Sequence, residues 1–305
     1  MTAITVRVPA KVNLQLAVGP AREDGYHDLV NVFHAVSLFD EVTVTEGDPG
    51  AALDPVALTV GGDLGPRAAD VPLDSGNLAA RAAALLARET GAGTPVGIHL
   101  HKTIPVAGGM AGGSADAAAT LVACDTLWRT GLARADLLAL AARLGSDVPF
   151  PLVGGTAVGT GRGELLEPVP CGGRFHWVFA LAEEGLSTAA VFGEYDRLRP
   201  GAPEPGLDAD LMAALAAGDA AALGAALSND LERAAFSLRP RLRGVLAVGR
   251  EAGALGAIVS GSGPTCAFLA ADEAGAAEVA AALEDSGRCG RTVRAHGDVP
   301  GATLL

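Results

Sequence analysis

Pro105-Val106-Ala107-Gly108-Gly109-Met110-Ala111-Gly112-Gly113-Ser114-Ala115-Asp116-Ala117-Ala118 is the stretch on which the reading of this chain turns. Upstream, Val96–Leu100 carries the apolar, β-branched character of a strand. Downstream, from about Ala115 to Trp128, Ala117, Leu121, Cys124 and Trp128 recur at helical spacing on one face. The pattern is strand, glycine-rich loop, helix. Glycine lets backbone approach a ligand closely and adopt positive φ. Loop N–H groups and the first helical turn can then point at one spot, with the helix dipole adding partial positive charge. Such a loop suits a polyphosphate, and Ser114, expected at the N-cap, could turn its hydroxyl to a phosphate or to Mg²⁺. A flexible turn with no ligand is the plainer alternative. The loop is neither a Walker A motif, since no Gly-Lys-Ser/Thr follows, nor a G-x-G-x-x-G dinucleotide fingerprint.

The rest of the chain explains why backbone donors matter here. The formal net charge is −13, and lysine occurs only at Lys11 and Lys102. No basic stripe exists to bind nucleic acid. An acidic protein that handles an anion must collect positive potential locally, from N–H groups and one or two cations. The 305 residues, half of them hydrophobic but only 4% aromatic, predict a large core of Ala, Val and Leu in two lobes. Cys124, Cys171, Cys266 and Cys289 show neither C-x-x-C spacing nor a zinc pattern, so they read as small buried hydrophobes in a reducing compartment. The opening residues lack a signal-peptide pattern, and no apolar run reaches the ~18 residues that span a bilayer. A cytoplasmic protein without membrane contact is the expectation.

Around the loop, Ile4 to Val18 alternates with a period of two, predicting extended strand interrupted near Pro9 and placing Lys11, Asn13 and Gln15 on one polar face. Alone, such a lysine could as well sit on a solvated face. Residues 22–28 form a polar turn about Gly25, followed by a predicted strand pair at Val30–Leu38 and Glu41–Thr45. Helices are predicted over Asn77–Glu89, Arg134–Leu144 (stopped by Gly145), Leu211–Leu227, Pro240–Ala252 and Asp272–Glu284 (capped by Asp272). Ser228–Ala235 should continue or abut the Leu211–Leu227 helix. Strands are predicted at Val153–Val158, Arg174–Leu181, Ala257–Ser260 and Thr265–Leu269. Asp147 could serve merely as the cap of a short helix with Pro149 in its first turn. The interleaving gives an α+β class with no internal repeat.

Five segments together resemble the GHMP kinases. Pro105–Ser114 is similar to their Pro-x-Gly-x-Gly-Leu-Gly-Gly/Ser-Ser signature. Ala107, Met110 and Ala111 depart from it, and the two alanine methyls are expected to hold their residues to ordinary backbone angles. Pro9-Ala10-Lys11-Val12-Asn13-Leu14 and Gly25-Tyr26-His27 resemble segments of the diphosphocytidyl-methylerythritol kinases within that superfamily. Gly145-Ser146-Asp147-Val148-Pro149 and Ser260-Gly261-Ser262-Gly263-Pro264-Thr265 match two further motifs. Galactokinase and mevalonate kinase begin differently, which narrows the likeness.

The resemblance implies a two-lobed α+β fold. A ribosomal-protein-S5-like lobe (1–165) would carry nucleotide, and a ferredoxin-like lobe (166–305) would close a substrate cleft. It implies an ATP- and Mg²⁺-dependent kinase acting on a small cytidyl alcohol, as monomer or homodimer. Pro105 through Ala115 would bind ATP, Ser114 would hold the metal, Lys11 and Asp147 would be catalytic, and Asn13, Tyr26, His27, Gly261 and Ser262 would hold substrate. Tyr can stack a base and His can hydrogen-bond its edge. Two rivals stand beside this: another GHMP kinase acting on homoserine or a sugar, and a non-catalytic nucleotide-binding relative. Retention of both Lys11 and Asp147 argues against the latter.

Overall fold

The structure, a computed structural model, describes residues 2–48, 56–63, 69–106 and 108–305. Ala107, expected to bind ATP, therefore lies outside the described residues.

The alternating N-terminal segment forms one strand, β1 (Ala3–Ala21). It turns through residues 22–26 into β2 (His27–Glu46). The pairing runs antiparallel from Ala3 opposite Thr45 to Ala21 opposite His27, with register shifts at Pro9/Ala10, Asn13/Gln15 and Val18/Ala21. The strand pair predicted over 30–45 is thus one long strand, because β1 supplies a partner along its whole length. Next come β3 (Ala57–Gly62), α1 (Leu78–Thr90), β4 (Val96–Lys102) and α2 (Gly112–Trp128). They are followed by α3 (Arg134–Leu144), α4 (Pro149–Val153), β5 (Thr156–Thr160) and β6 (Leu165–Pro168). The strand expected from Val153 starts later, since two prolines and a glycine stop shape 149–154 into a helical turn.

The remainder contributes β7 (Phe175–Leu181), α5 (Thr188–Leu198), α6 (Ala209–Ala217), α7 (Ala220–Ala226), β8 (Ser228–Asn229) and α8 (Glu232–Leu238). Last come α9 (Leu242–Glu251), β9 (Gly256–Val259), β10 (Cys266–Ala270), α10 (Glu273–Asp285), β11 (Arg291–Gly297) and β12 (Thr303–Leu304). The helix predicted over 211–227 is broken at Gly218 (φ 70°), where a left-handed residue ends α6. Residues 228–229 do not continue it; they pair in parallel with β1.

Two sheets result. One runs β12-β1-β2-β4-β3, with β5 and β6 continuing from β2 and β8 added to β1; the other runs β11-β7-β10-β9. Val6, Val8, Ala10, Val12 and Leu14 join α1 and α2 in one core. Helix α2 is buried without a break from Ala115 to Leu121, so it threads the core rather than showing it one face. Asp272 caps α10 through Gly275 N–H, as its position predicts. All four cysteines are free; Cys124 and Cys266 are buried, and Cys171 and Cys289 are half-buried. No helix among the described residues is long and apolar enough to cross a membrane.

Candidate active site

A cleft of about 940 Å³ opens where β1, the glycine loop, the residue 145–147 turn and the residue 261–262 loop meet. That volume matches small-molecule sites.

Lys11 and Asn13, on the odd face of β1, form the floor. Lys11, Asn13 and Gln15 are all buried rather than solvated. Lys11 Nζ donates to Asn13 Oδ1 (2.7 Å), and Asn13 Nδ2 donates to Asn31 Oδ1 (2.9 Å) on the neighbouring strand. This chain of bonds fixes the ammonium in the cleft. Burial draws the Lys11 ammonium below the ordinary lysine range, and the charge of Asp147 opposes that shift. Asp147 Oδ2 stands 3.9 Å from Lys11 Nζ. Asp147 caps no helix: α4 starts from Val148 with no side-chain capping bond. Its side chain is 41% exposed and lines the cleft instead.

The glycine loop forms one wall. Gly108, Gly109, Ala111, Gly112, Gly113 and Ser114 line the cleft. Met110 and Ala115 are turned into the core, and Pro105 and Val106 do not reach the cleft. Helix α2 begins earlier than its composition suggests, at Gly112, so Ser114 sits inside the first turn and not at the N-cap. The N-cap is Ala111, in the left-handed region (φ 60°, ψ 31°) with no side-chain capping bond. The methyl of Ala111 therefore does not hold it to ordinary angles; surrounding packing imposes a conformation that alanine adopts at a cost. Among the described residues no side chain caps the first-turn N–H groups, which leaves donors for an anion.

The loop is locked to the second glycine loop. Ser260 Oγ donates to Gly109 O (3.2 Å), and a Cβ at Gly109 would meet Ser260 O at 2.4 Å. Asn229 Nδ2 donates to both Val259 O and Gly261 O, at 2.8 Å each. A Cβ on Gly261 would lie 3.3 Å from Lys11 Nζ, so this loop passes directly over the lysine. Ser262 Oγ hydrogen-bonds Thr188 Oγ1 (2.9 Å).

At the far end, His27 Nε2 meets Asp196 Oδ1 at 2.8 Å, and its ring lies 5.0 Å from that of Phe192. Tyr26 is 51% exposed, with the Arg162 guanidinium 4.9 Å from its ring centre. Tyr26, His27 and Phe192 thus put aromatic rings into the same cleft that Lys11 and Asp147 line.

The sequence matches the GHMP kinases N terminal domain over residues 77–155 and the GHMP kinases C terminal domain over 211–289. It is 67% identical over 307 residues to 4-diphosphocytidyl-2-C-methyl-D-erythritol kinase of Thermobifida fusca (strain YX), covering 100% of this chain and 99% of the relative. The chain belongs to the 4-diphosphocytidyl-2-C-methyl-D-erythritol kinase family of the GHMP kinases. The enzyme of the same name from Streptomyces avermitilis is 60% identical over 306 residues, covering 99% of this chain and all of that one. A crystal structure of 4-(cytidine 5'-diphospho)-2C-methyl-D-erythritol kinase superposes with a TM-score of 0.75 at 34% identity, covering 95% of this chain and 98% of that one. The expected α+β, two-lobed GHMP kinase fold, S5-like and ferredoxin-like, is the fold of this family member.

In this family member Lys11, Asn13, Tyr26, His27, Asp147, Gly261 and Ser262 all line one cleft, although they are spread over most of the chain. Asn31, Arg162, Thr188, Phe192 and Asp196 line it too and escaped the reading of the sequence. For α5 a signal existed: Val191 and Tyr195 recur at i, i+4 and are the helix's buried residues. Nothing local marks which of its other residues turn toward a ligand.

Proposed function

We propose that this enzyme transfers the γ-phosphoryl group of ATP to the 2-hydroxyl of 4-diphosphocytidyl-2-C-methyl-D-erythritol, a step of non-mevalonate isoprenoid precursor synthesis. The observation that carries the reading is the placement of a buried ammonium and a carboxylate 3.9 Å apart in a cleft also lined by the start of α2, which has no side-chain cap, and by Tyr26, His27 and Phe192.

Phosphoryl transfer needs alignment, charge neutralisation and a base for the attacking hydroxyl. N–H groups of the glycine loop and of the first turn of α2 cradle the phosphates. Asp147 accepts the proton of the tertiary alcohol, and Lys11 offsets charge on the moving phosphoryl group. Tyr26 and Phe192 flank the cytosine, and His27, its tautomer fixed by Asp196, bonds the base edge. Asn13, Gly261 and Ser262 hold the substrate beside the lysine.

ATP brings Mg²⁺ to such sites. That ion takes oxygen ligands, keeps several waters and binds chiefly through phosphates. The described residues contain no cluster of three acidic, His or Cys side chains that could cage a metal. The hydroxyl of Ser114 in the loop suits a phosphate-bound ion, and would hold it while the ion neutralises phosphate charge.

Residues 1–165 form the nucleotide lobe in this reading and 166–305 the lobe that closes over substrate, in a cytoplasmic enzyme. One chain supplies every group named, so the reading does not require a second copy. An assay of ATP consumption with the cytidyl alcohol, homoserine and galactose tests it. Turnover confined to the cytidyl alcohol is expected; turnover with homoserine or galactose instead would replace it by another GHMP kinase activity.

A further inference from the structure

Behind the glycine loop, and outside the cleft, Lys102 lies between two carboxylates. Lys102, Asp40 and Asp116 are 2%, 0% and 3% exposed. Lys102 Nζ donates to Asp116 Oδ2 at 2.6 Å and also to Asp40 Oδ2. Asp40 Oδ1 accepts the N–H groups of Thr103 (2.6 Å) and Ile104 (2.8 Å).

The attachments fall on the two flanks of the loop. Lys102 ends β4, and Thr103 and Ile104 lead into the loop. Asp116 stands four residues after Gly112, on the same face of α2 and one turn behind its start. A Cβ on Gly112 would lie 3.1 Å from Ile104 Cγ2 and 3.4 Å from Lys102 Nζ, so the approach to the loop and the helix leaving it run against each other there. The pairing of Glu41 with His101 brings Asp40 alongside this junction.

We propose that Asp40, Lys102 and Asp116 form a buried clamp that ties the two ends of the glycine loop together and so sets the geometry of the phosphate-binding donors. The proposal rests on the reading of that loop as the ATP site. The three are positioning residues, since none lines the cleft.

A clamp answers a specific difficulty. The loop holds Gly108, Gly109, Gly112 and Gly113, which lose much conformational freedom on ordering, and α2 starts from a left-handed alanine with no capping bond. Neither local sequence nor a cap holds the first turn of α2 in place. A charge-assisted bond one turn further along does, and it is strong because it is dry. The cluster is not a balanced ion pair: two carboxylates face one ammonium, and Asp116 Oδ1 is buried with no partner. Burial raises the Asp116 carboxyl to about 7, against the pull of Lys102 and with the help of Asp40. A group that only filled space there would be better served by an apolar side chain.

The test uses the full-length enzyme and compares Asp116→Leu, Asp116→Asn and Gly113→Val. Asp116→Leu removes the oxygen that Lys102 holds, while Asp116→Asn keeps one. For Asp116→Leu the expected result is a KM for ATP raised at least ~10-fold, with the KM for the cytidyl alcohol changed less than ~2-fold. Asp116→Asn should stay within ~3-fold of the parent on both. An unchanged KM for ATP in folded Asp116→Leu, or equal rises in both KM values, overturns the clamp. Should Asp116→Leu not fold, hydrogen exchange on the nucleotide-free parent decides. The Thr103 and Ile104 amides must be protected, and fast exchange there overturns the proposal. Gly113→Val separates the two readings. If it is impaired in ATP binding and Asp116→Leu is not, the clamp alone falls; if ATP binding ignores Gly113→Val, the loop assignment falls first.

Discussion

Lys11 Nζ and Asp147 Oδ2 face each other at 3.9 Å, the lysine buried on β1 and the aspartate at the turn that precedes α4. That spacing is longer than a direct hydrogen bond. The lysine spends its close contact on Asn13 instead, at 2.7 Å. In the proposed mechanism this leaves the carboxylate with lone pairs for a substrate hydroxyl, and the ammonium near enough to stabilise charge on the moving phosphoryl group.

In the proposed mechanism, replacing Asp147 by Asn removes the proton acceptor with almost no change in shape. General-base catalysis is worth about 10²–10⁴-fold. Asp147→Asn should lower kcat at least ~100-fold with ATP affinity little changed, and Lys11→Met should be comparably impaired. The double variant should be little worse than the poorer single one, because the pair acts as a unit. Steady-state kinetics together with nucleotide titration check this. Near-normal kcat in Asp147→Asn would remove the mechanism and leave the family assignment standing.

The end of the cleft proposed to take cytosine makes a separate forecast. A site built to hydrogen-bond a base loses ~1–3 kcal/mol for each partner left unpaired. A uridine analogue of the substrate should be much poorer in kcat/KM. Asp196→Asn, which loosens the His27 ring held at 2.8 Å, should raise the KM for the cytidyl alcohol and leave that for ATP unmoved. Equal efficiency with the uridine and cytidine compounds would disprove the role given to Tyr26 and His27.

For the nucleotide, Gly113 is the most telling position. A Cβ there has its nearest neighbour, Leu78 Cδ1, 3.8 Å away, so a side chain fits the folded protein and obstructs only the cleft. Gly113→Val should raise the KM for ATP at least ~10-fold with the melting temperature unchanged. Gly112→Val is a less clean probe, since its Cβ presses on Ile104 at 3.1 Å.

Acid stability should depend on His34. Its ring is fully buried, Nδ1 meets Thr156 Oγ1 at 2.8 Å, and Nε2 has no partner. Burial pushes its pKa down to about 3. The unfolded chain takes up this proton near pH ~6.5 and the folded one does not. Stability is therefore lost as pH falls from ~6.5 toward 3, by up to about 1.4 kcal/mol per pH unit, and is unaffected by this group above pH 7. Between pH 7 and 5 the parent should lose about 2 kcal/mol more than His34→Gln, measured by denaturant unfolding. Parallel losses in both proteins would show that His34 is not the titrating group.

Much of this protein was legible in its sequence because local physics writes certain features plainly. The period of two in Ile4–Val18 fixes a strand, and the run Arg134–Leu144 followed by Gly145 becomes α3 with those same ends. Glycine-rich segments at 105–114 and 260–265 announce close backbone approach, and the five motifs named the family. What stayed hidden depends on partners distant in the chain. Two predicted strands at 30–45 fuse into one because β1 pairs along both. Ala111 takes a left-handed angle that its methyl disfavours, in a loop whose neighbouring Gly109 is bonded to Ser260 from far along the chain. Asp147 reads locally as a helix cap and becomes a cleft carboxylate only when β1 brings Lys11 opposite it. Arg162, Phe192 and Asp196 carry no local mark at all, since a side chain's direction toward a ligand is set by how its element packs. The sequence by itself determined which chemistry the chain contains, because motif residues and backbone propensities are local properties. The tertiary structure alone decided which of those groups meet, because burial and opposition across a cleft exist only between segments far apart in sequence.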